Sequence, residues 1–326
     1  MIALTVRTLS SDLSGVDLIE VDAPVCTVGD VLIRIRAASL NFPDLLMTRG
    51  DYQLKPPLPF VLGLEFAGEV IEAPADSELV PGDLVYGGRQ TGCFAEQVAV
   101  AAAAVRKVPA GLTLQQAAAF GAAYSTAYTA LVELGGLKPG QWVLVHGASG
   151  GVGLAACDLA KALGAKVIAA TGSADKLAAL KAACQPDAVL LAQGKFREQV
   201  AEITSGALCD LVYDPVGGDV FDESTRCVAF GGKLLVVGFA GGRIADISTN
   251  IPLIKGFSVV GVRAGEYARR FPERGAAIRD AILALAAEGS INPHIDRVLP
   301  LSRWREGFAA MAARQVIGKV VFEPGG

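Results

Sequence analysis

The chain has 326 residues, 52% of them hydrophobic and 19% charged, with 38 glycines. That balance excludes disorder, and the length exceeds the roughly 100 to 200 residues of one domain, so two domains are expected. Its 29 basic and 33 acidic residues are interspersed and sum to −4, which leaves no footprint for a nucleic-acid backbone or an anionic membrane and points to a small-molecule partner.

Up to about residue 120 the texture is of short alternating runs, "VLIRIRAASL", "FAGEVIEA", "DLVYGG" and "FAEQVAV", cut by Gly, Pro and Asp. These predict strands and turns, with a helix around "NFPDLLMTRG". From about residue 121 the rhythm becomes strand, helix, strand, helix. Six apolar runs, "WVLVH", "AKVIAAT", "DAVLLA", "DLVYDPV", "GKLLVVGFA" and "FSVVGV", predict a parallel sheet of six strands. Helices are expected over 151–163, 174–184, 195–205 and 218–229, and a loop over 239–255. Beyond Val262 come a helical stretch, then "INPHIDRVLPL", a helix expected to start at Ser302, and "GKVVFEP". This tail resembles the N-terminal texture, so the expected domains are 1–120 with 263–326, and 121–262. No apolar run approaches the roughly eighteen residues of a membrane span and the first residues carry no signal-peptide core, so a cytoplasmic location is expected. The six cysteines stand singly and there are only two histidines, His146 and His294. That spacing suits neither a zinc cluster nor a disulfide framework; buried thiols are expected, and no metal.

The most informative stretch is "VLVHGASGGVG" at 143–153. Ala148, Gly150 and Gly153 keep the G-x-G-x-x-G spacing with alanine in the first place, and the motif follows a strand and opens a helix. Ala148, Ser149, Gly150, Gly151, Val152 and Gly153 are therefore expected to clasp a dinucleotide pyrophosphate. The free amides and positive end of the new helix favour an anion there. An NAD site usually ends its second strand with Asp or Glu on the ribose hydroxyls. Here that strand ends "AATGSADK". Gly172 leaves room, Ser173 can donate a hydrogen bond or cap the next helix, and Lys176 brings a positive charge, which together favour the 2′-phosphate of NADPH.

In the first part of the chain, "AASLNFPDLLMTRGDYQ", "PFVLGLEFAGEV", "VPGDLVYG" and "GCFAEQVAV" occur in that order ahead of "HGASGGVG". Together they resemble the medium-chain dehydrogenase/reductase superfamily, specifically its zinc-free quinone oxidoreductase branch, over almost the whole chain. The resemblance implies an α/β fold, with a GroES-like β-rich catalytic domain built from both chain ends plus a Rossmann doubly wound parallel sheet, and the cofactor in the cleft between them. Zinc-containing relatives carry Gly-His-Glu where this chain has Gly63, Leu64 and Glu65, and a four-cysteine lobe that is missing here, so Glu65 is expected to keep only a structural hydrogen bond. The resemblance also implies that Asn41 and Asp44 line the nicotinamide end, and that Tyr52 matches a proton donor of related enoyl thioester reductases. It places Tyr124, Gly238, Phe239, Ala240 and Asn250 against the cofactor, reads His146 as structural, and suggests a homodimer paired along the "FSVVGV" edge strands. One departure stands out: many members have a tyrosine soon after the third strand, where this chain has Ala192 or Gln193.

Without a metal to stabilise an alkoxide, an activated acceptor is favoured over an alcohol. The expected function is zinc-independent hydride transfer from NADPH to a quinone or an α,β-unsaturated carbonyl (enone) compound. The alternatives are an enoyl thioester reductase of acrylyl-CoA type and a non-enzymatic NADPH-binding protein of crystallin-like or redox-sensing kind.

Overall fold

The structure is a computed structural model and describes residues 1–325. The chain divides into two compact units, Met1–Ala122 with the chain from Ile295 onward, and Ala123–His294.

The first unit is mostly strand. It contains β1 (Ile2–Val6), β2 (Val16–Glu20), β3 (Asp30–Ser39), β4 (Phe60–Val61), β5 (Glu65–Glu72), β6 (Leu84–Gly88), β7 (Gln97–Ala101) and β8 (Val105–Lys107), with helices α1 (Phe42–Arg49) and α2 (Leu114–Ala118). In β3 the alternation read from "VLIRIR" holds: Val31, Ile33 and Ile35 are buried while Arg34 and Arg36 face out, because successive side chains on a strand point to opposite faces. Strand β3 pairs antiparallel with β5 and with β7.

The second unit follows helix α3 (Gly121–Tyr128), within which the chain leaves the first. Its strands are β9 (Trp142–Val145), β10 (Lys166–Thr171), β11 (Ala188–Leu191), β12 (Cys209–Asp214), β13 (Val228–Val236) and β14 (Ser258–Gly261), all parallel, in the order β11-β10-β9-β12-β13-β14. The six predicted runs are these six strands. Between them lie α4 (Gly151–Ala162), α5 (Leu177–Cys184), α6 (Arg197–Ile203), α7 (Gly218–Ser224) and α8 (Asn250–Lys255), and after them α9 (Ala264–Arg270) and α10 (Pro272–Ala287). One face of the sheet buries Leu144, Ile168, Leu190, Val212 and Leu234 against Phe196, Val200 and Phe221.

The chain then rejoins the first unit through β15 (Ile295–Pro300), α11 (Trp304–Ala312) and β16 (Lys319–Glu323). Strand β16 pairs antiparallel with β3, Val321 opposite Ser39 and Phe322 opposite Ala38. Phe322 stacks on Phe308 and meets Phe94 edge-on at 5.2 Å, a geometry aromatic pairs prefer.

Four boundaries differ from expectation. The return to the first unit comes at Ile295 and not at residue 263: α9 and α10 stay with the second unit, where Tyr267 donates to Glu133 at 2.9 Å and Arg274 pairs with the same carboxylate at 3.4 Å. The 239–255 loop ends in α8, a helix of six residues, too short to register as a period and carrying a proline tolerated in a first turn. Helix α7 stops at Ser224, because β13 already begins at Val228. The last helix starts at Trp304 after a 3-10 turn over Leu301–Arg303, with no side-chain cap. Among the described residues no helix is long and apolar enough to cross a membrane.

Candidate functional site

In the second unit, β9 sits at the point where the sheet's chain order reverses, with β10 on one side and β12 on the other. Ligands of such sheets bind at the carboxyl ends of the strands there. The turn that follows is tightly folded: His146 N donates to Tyr213 O, Ala148 N to Ala170 O at 3.0 Å and Gly150 N to Gly147 O at 2.9 Å. Ala148 and Ser149 are buried, and Gly150, Gly151 and Val152 half-buried. A Cβ on Gly153 would lie 2.2 Å from Gly147 O and 2.7 Å from Ala148 Cα, so helix and turn can approach only through glycine. A Cβ on Gly150 would meet nothing nearer than 3.4 Å. The protein itself leaves space there, as an approaching ligand requires. Helix α4 begins with Gly150 at its N-cap and no side-chain cap, so its first amides are free for an anion.

Strand β10 ends at Thr171, and nothing lies within 4 Å of where a Gly172 side chain would start. Ser173 N donates to Thr171 Oγ1 at 3.3 Å, and Ser173 makes no capping bond; the expected cap is not there. Lys176 closes the 3-10 turn Ala174–Lys176 and is half-buried, whereas Asp175, the one acid of the stretch, is exposed. Gln193, one of the two residues at the place where the tyrosine is missing, donates from Nε2 to Gly172 O at 2.8 Å and ties the two strand ends together. The uncapped glycine turn and the neutral-to-basic corner beside it fit a phosphorylated dinucleotide.

After β13, Ala240 N donates to Pro215 O at 2.9 Å and Gly238 packs on Pro215, while Phe239 remains 44% exposed. Asn250 opens α8 and is exposed. Tyr124 stands in the core at 2% exposure, and its hydroxyl donates to Asp158 Oδ2 at 2.5 Å, a carboxylate that also takes the Asn292 amide. Its phenol proton is engaged inside the unit. His146 is fully buried, with Nε2 bonded to Ser224 Oγ at 2.8 Å, and burial pushes its pKa down to about 3. It is a neutral structural imidazole.

In the first unit, α1 is held at its start by Asp44, whose Oδ2 accepts from Asn41 N at 2.8 Å and whose Oδ1 accepts from Gly63 N at 3.1 Å. Gly63 sits at φ +97, and a Cβ there would meet Phe94 N at 2.4 Å. Glu65, buried at the start of β5, accepts from Asn41 Nδ2 at 2.8 Å and Lys319 Nζ at 3.3 Å through Oε1, and from Ala122 N at 2.6 Å through Oε2. Lys319 Nζ also donates to Asn41 Oδ1 at 2.7 Å. Sequence reasoning missed Lys319; a charge opening the apolar run "GKVVFEP" was the available signal. Tyr52 is half-buried against the core, and among the described residues its hydroxyl has no hydrogen-bond partner.

A zinc ion does not suit this cluster. Among the described residues no three His, Cys, Asp or Glu side chains group to hold a metal, and beside Glu65 stands an ammonium, itself a cation.

Residues 27–110 match the family model described as alcohol dehydrogenase GroES-like domain, and residues 151–280 the one described as zinc-binding dehydrogenase. The chain is 36% identical over 297 residues to quinone oxidoreductase-like protein 2 of Mus musculus, covering 90% of this chain and 84% of that protein. The chain belongs to the medium-chain dehydrogenase/reductase superfamily, in its zinc-free quinone oxidoreductase branch. Solved structures of the superfamily agree across the whole length. A probable oxidoreductase from Mycobacterium abscessus superimposes with a TM-score of 0.90 at 36% identity, covering 99% of each chain. The Escherichia coli quinone oxidoreductase complexed with NADPH gives 0.89 at 26% identity, covering 99% of this chain and 100% of that one. The superfamily's GroES-like and Rossmann parts correspond to the β-rich sheets and the six-stranded parallel sheet described above.

Proposed function

We propose that this enzyme of the medium-chain superfamily is a zinc-independent oxidoreductase that uses NADPH to reduce a quinone or an α,β-unsaturated carbonyl compound. The observation that carries the proposal is the contrast at the glycine turn: Gly153 is demanded by the protein's own backbone, Gly150 is not, and the α4 amides between them lack a cap. Ala148, Ser149, Gly150, Gly151, Val152 and Gly153 would hold the diphosphate, and Gly172, Ser173 and Lys176 the 2′-phosphate. Gly238, Phe239 and Ala240 are proposed beside the nicotinamide ribose, and Asn250 facing the coenzyme. Bound there, NADPH supplies the hydride, and the protein's part is to orient the reactants and exclude water. The structures of relatives complexed with NADPH support the choice of coenzyme.

Coenzyme titration tests this directly. Lys176→Ala should weaken NADPH binding by about tenfold or more, the equivalent of losing one charge-assisted contact, and leave NADH nearly unchanged. Equal losses for both coenzymes would remove Lys176 from the phosphate site.

The free phenol of Tyr52 favours acceptors that need a proton, enones or enoyl thioesters, since a hydroquinone anion can take its proton from water. Tyr52→Phe should therefore slow enone and thioester reduction by about a hundredfold, within the range of general acid catalysis, and spare quinones. Unchanged rates on every acceptor would take Tyr52 out of the chemistry. A homodimer belongs to the same proposal: β14 is a sheet edge, and Phe230, Leu253 and Ile254 around it are exposed, as an edge awaiting a partner would be. Sedimentation as a monomer at micromolar concentration would remove that part.

A further inference from the structure

Helices α4 and α5 pack side by side in the second unit and bring two thiols together. Cys157 and Lys161 lie one turn apart on α4 and share a face. Lys161 Nζ donates to Cys184 O at 3.3 Å and to Gln185 O, so that face meets the carboxyl end of α5. There the Cys157 and Cys184 side chains are hydrogen-bonded to each other. Cys184 directs its own hydrogen to Leu180 O at 3.3 Å, which makes Cys157 the donor and the Cys184 sulfur the acceptor. The two thiols differ in character. Burial holds Cys157 well above the usual thiol range, while the bond from Cys157 and the charge of Lys161 pull Cys184 below it, against its own burial and the charge of Asp158. They differ in access as well: Cys157 has no exposed surface, and Cys184 keeps 8% at a helix end, where the last turn frays. A thiolate beside a cation, within reach of solvent and in contact with a second thiol, is the arrangement that oxidants select.

We propose that Cys157 and Cys184 are an oxidisable dithiol, in which Cys184 reacts with a hydroperoxide and Cys157 then closes a disulfide between α4 and α5. With hydrogen peroxide, the Cys184 thiolate attacks one oxygen, the O–O bond breaks, and hydroxide leaves and takes up a proton. Cys184 is then a sulfenic acid, and the peroxide has been reduced to water. The Cys157 sulfur next attacks the Cys184 sulfur: the S–S bond forms, the S–O bond breaks, and the oxygen departs as water with the Cys157 proton. The sulfurs have only to close from contact to about 2.05 Å, a movement that falls to the last turn of α5. The step needs no bound coenzyme and holds whatever acceptor the enzyme reduces. A second pair supplies the contrast: Cys209 N donates to Cys227 O at 2.9 Å, so these cysteines are neighbours too, but neither is exposed and burial pushes both thiols up. They should stay reduced.

The test uses the full chain carrying Cys26→Ser, which removes the cysteine that is only partly buried. Treated with hydrogen peroxide under native conditions and then denatured with a thiol reagent, this protein should have lost the thiols of Cys157 and Cys184. Proteolysis without reductant should give a peptide joining the two, which dithiothreitol separates. Two further variants read the order of events, each treated with peroxide in the presence of dimedone. With Cys157→Ser added, whose hydroxyl can still donate to Cys184, the reaction should stop at a sulfenic acid on Cys184 that dimedone captures. With Cys184→Ser added, capture at Cys157 should be about tenfold or more lower. Equal or greater capture at Cys157 would overturn the assigned order. Both thiols surviving peroxide, or a Cys209–Cys227 cross-link in place of the expected one, would overturn the dithiol itself. If thermal melts show that a serine variant does not fold, the peptide map of the Cys26→Ser protein decides alone: the Cys157–Cys184 peptide upholds the proposal, and its absence overturns it.

Discussion

Alanine at Gly153 is expected to remove detectable NADPH binding and to lower stability by about 1 to 3 kcal/mol, the usual cost of forcing an extra carbon into a closed space. The added Cβ would sit 2.2 Å from Gly147 O, with Gly147 C and Ala148 Cα at 2.7 Å. All of these are backbone atoms, so no side chain can swing aside; either α4 slides or the turn opens, and both displace the amides that would meet the diphosphate. Gly150→Ala is the control. Its Cβ would make only an ordinary 3.4 Å contact, and Gly150 has φ −85, which alanine adopts freely. Stability should therefore change by less than about 0.5 kcal/mol while NADPH binding still weakens by about tenfold or more, because the methyl occupies ligand space. Chemical denaturation and coenzyme titration on the two variants separate the roles. Normal NADPH uptake by Gly153→Ala, or by Gly150→Ala, would show that this turn is not the diphosphate cradle.

The pair explains why the turn was so legible in the sequence. A glycine required by local backbone contact and a glycine beside which the protein itself leaves space lie three residues apart at a strand-to-helix junction, within one short segment. The six parallel strands were readable for a similar reason: each is an apolar run bounded by turn residues, and in the central strands β9, β10 and β12 burial on both faces leaves no polar alternation to confuse it. What escaped depended on contacts distant in the chain. Helices α9 and α10 carry no mark of belonging to the second unit until Glu133, more than a hundred residues earlier, is seen to hold Tyr267 and Arg274. Lys319 carries no local pattern that marks it, and only the antiparallel pairing of β16 with β3 brings it to Asn41 and Glu65. Tyr124 illustrates the converse. The resemblance suggested a ligand contact, but its partner Asp158 lies on α4, where no local pattern announces it.

Asp44 gives the protein a pH-dependent stability whose direction follows from its surroundings. The carboxyl is fully buried, and desolvation, the largest influence, pushes its pKa up from 3.8 to about 7; the backbone N–H groups of Asn41 and Gly63 and the charge of Lys319 pull it down, and Glu65 pushes it up. Cys93 is the other titratable neighbour, and its buried thiol stays neutral. Below pH 3.8 the group is protonated in folded and unfolded chains alike and contributes no pH dependence. Between 3.8 and about 7 the folded state keeps a proton the unfolded chain has lost, so stability falls as pH rises and levels off above about 7. At about 1.4 kcal/mol per unit the ceiling is about 4 kcal/mol. Asp44→Asn removes this dependence but must turn its NH2 group toward one of the two backbone donors, which costs about 1 to 3 kcal/mol. The variant should therefore be less stable than the unaltered protein at about pH 5, with the gap narrowing by about 2 kcal/mol or more by about pH 8. Urea unfolding at intervals of about one pH unit between those limits reads it. Parallel stability curves would mean that Asp44 titrates alike in the folded and unfolded chains, and that the two backbone donors fully offset its burial.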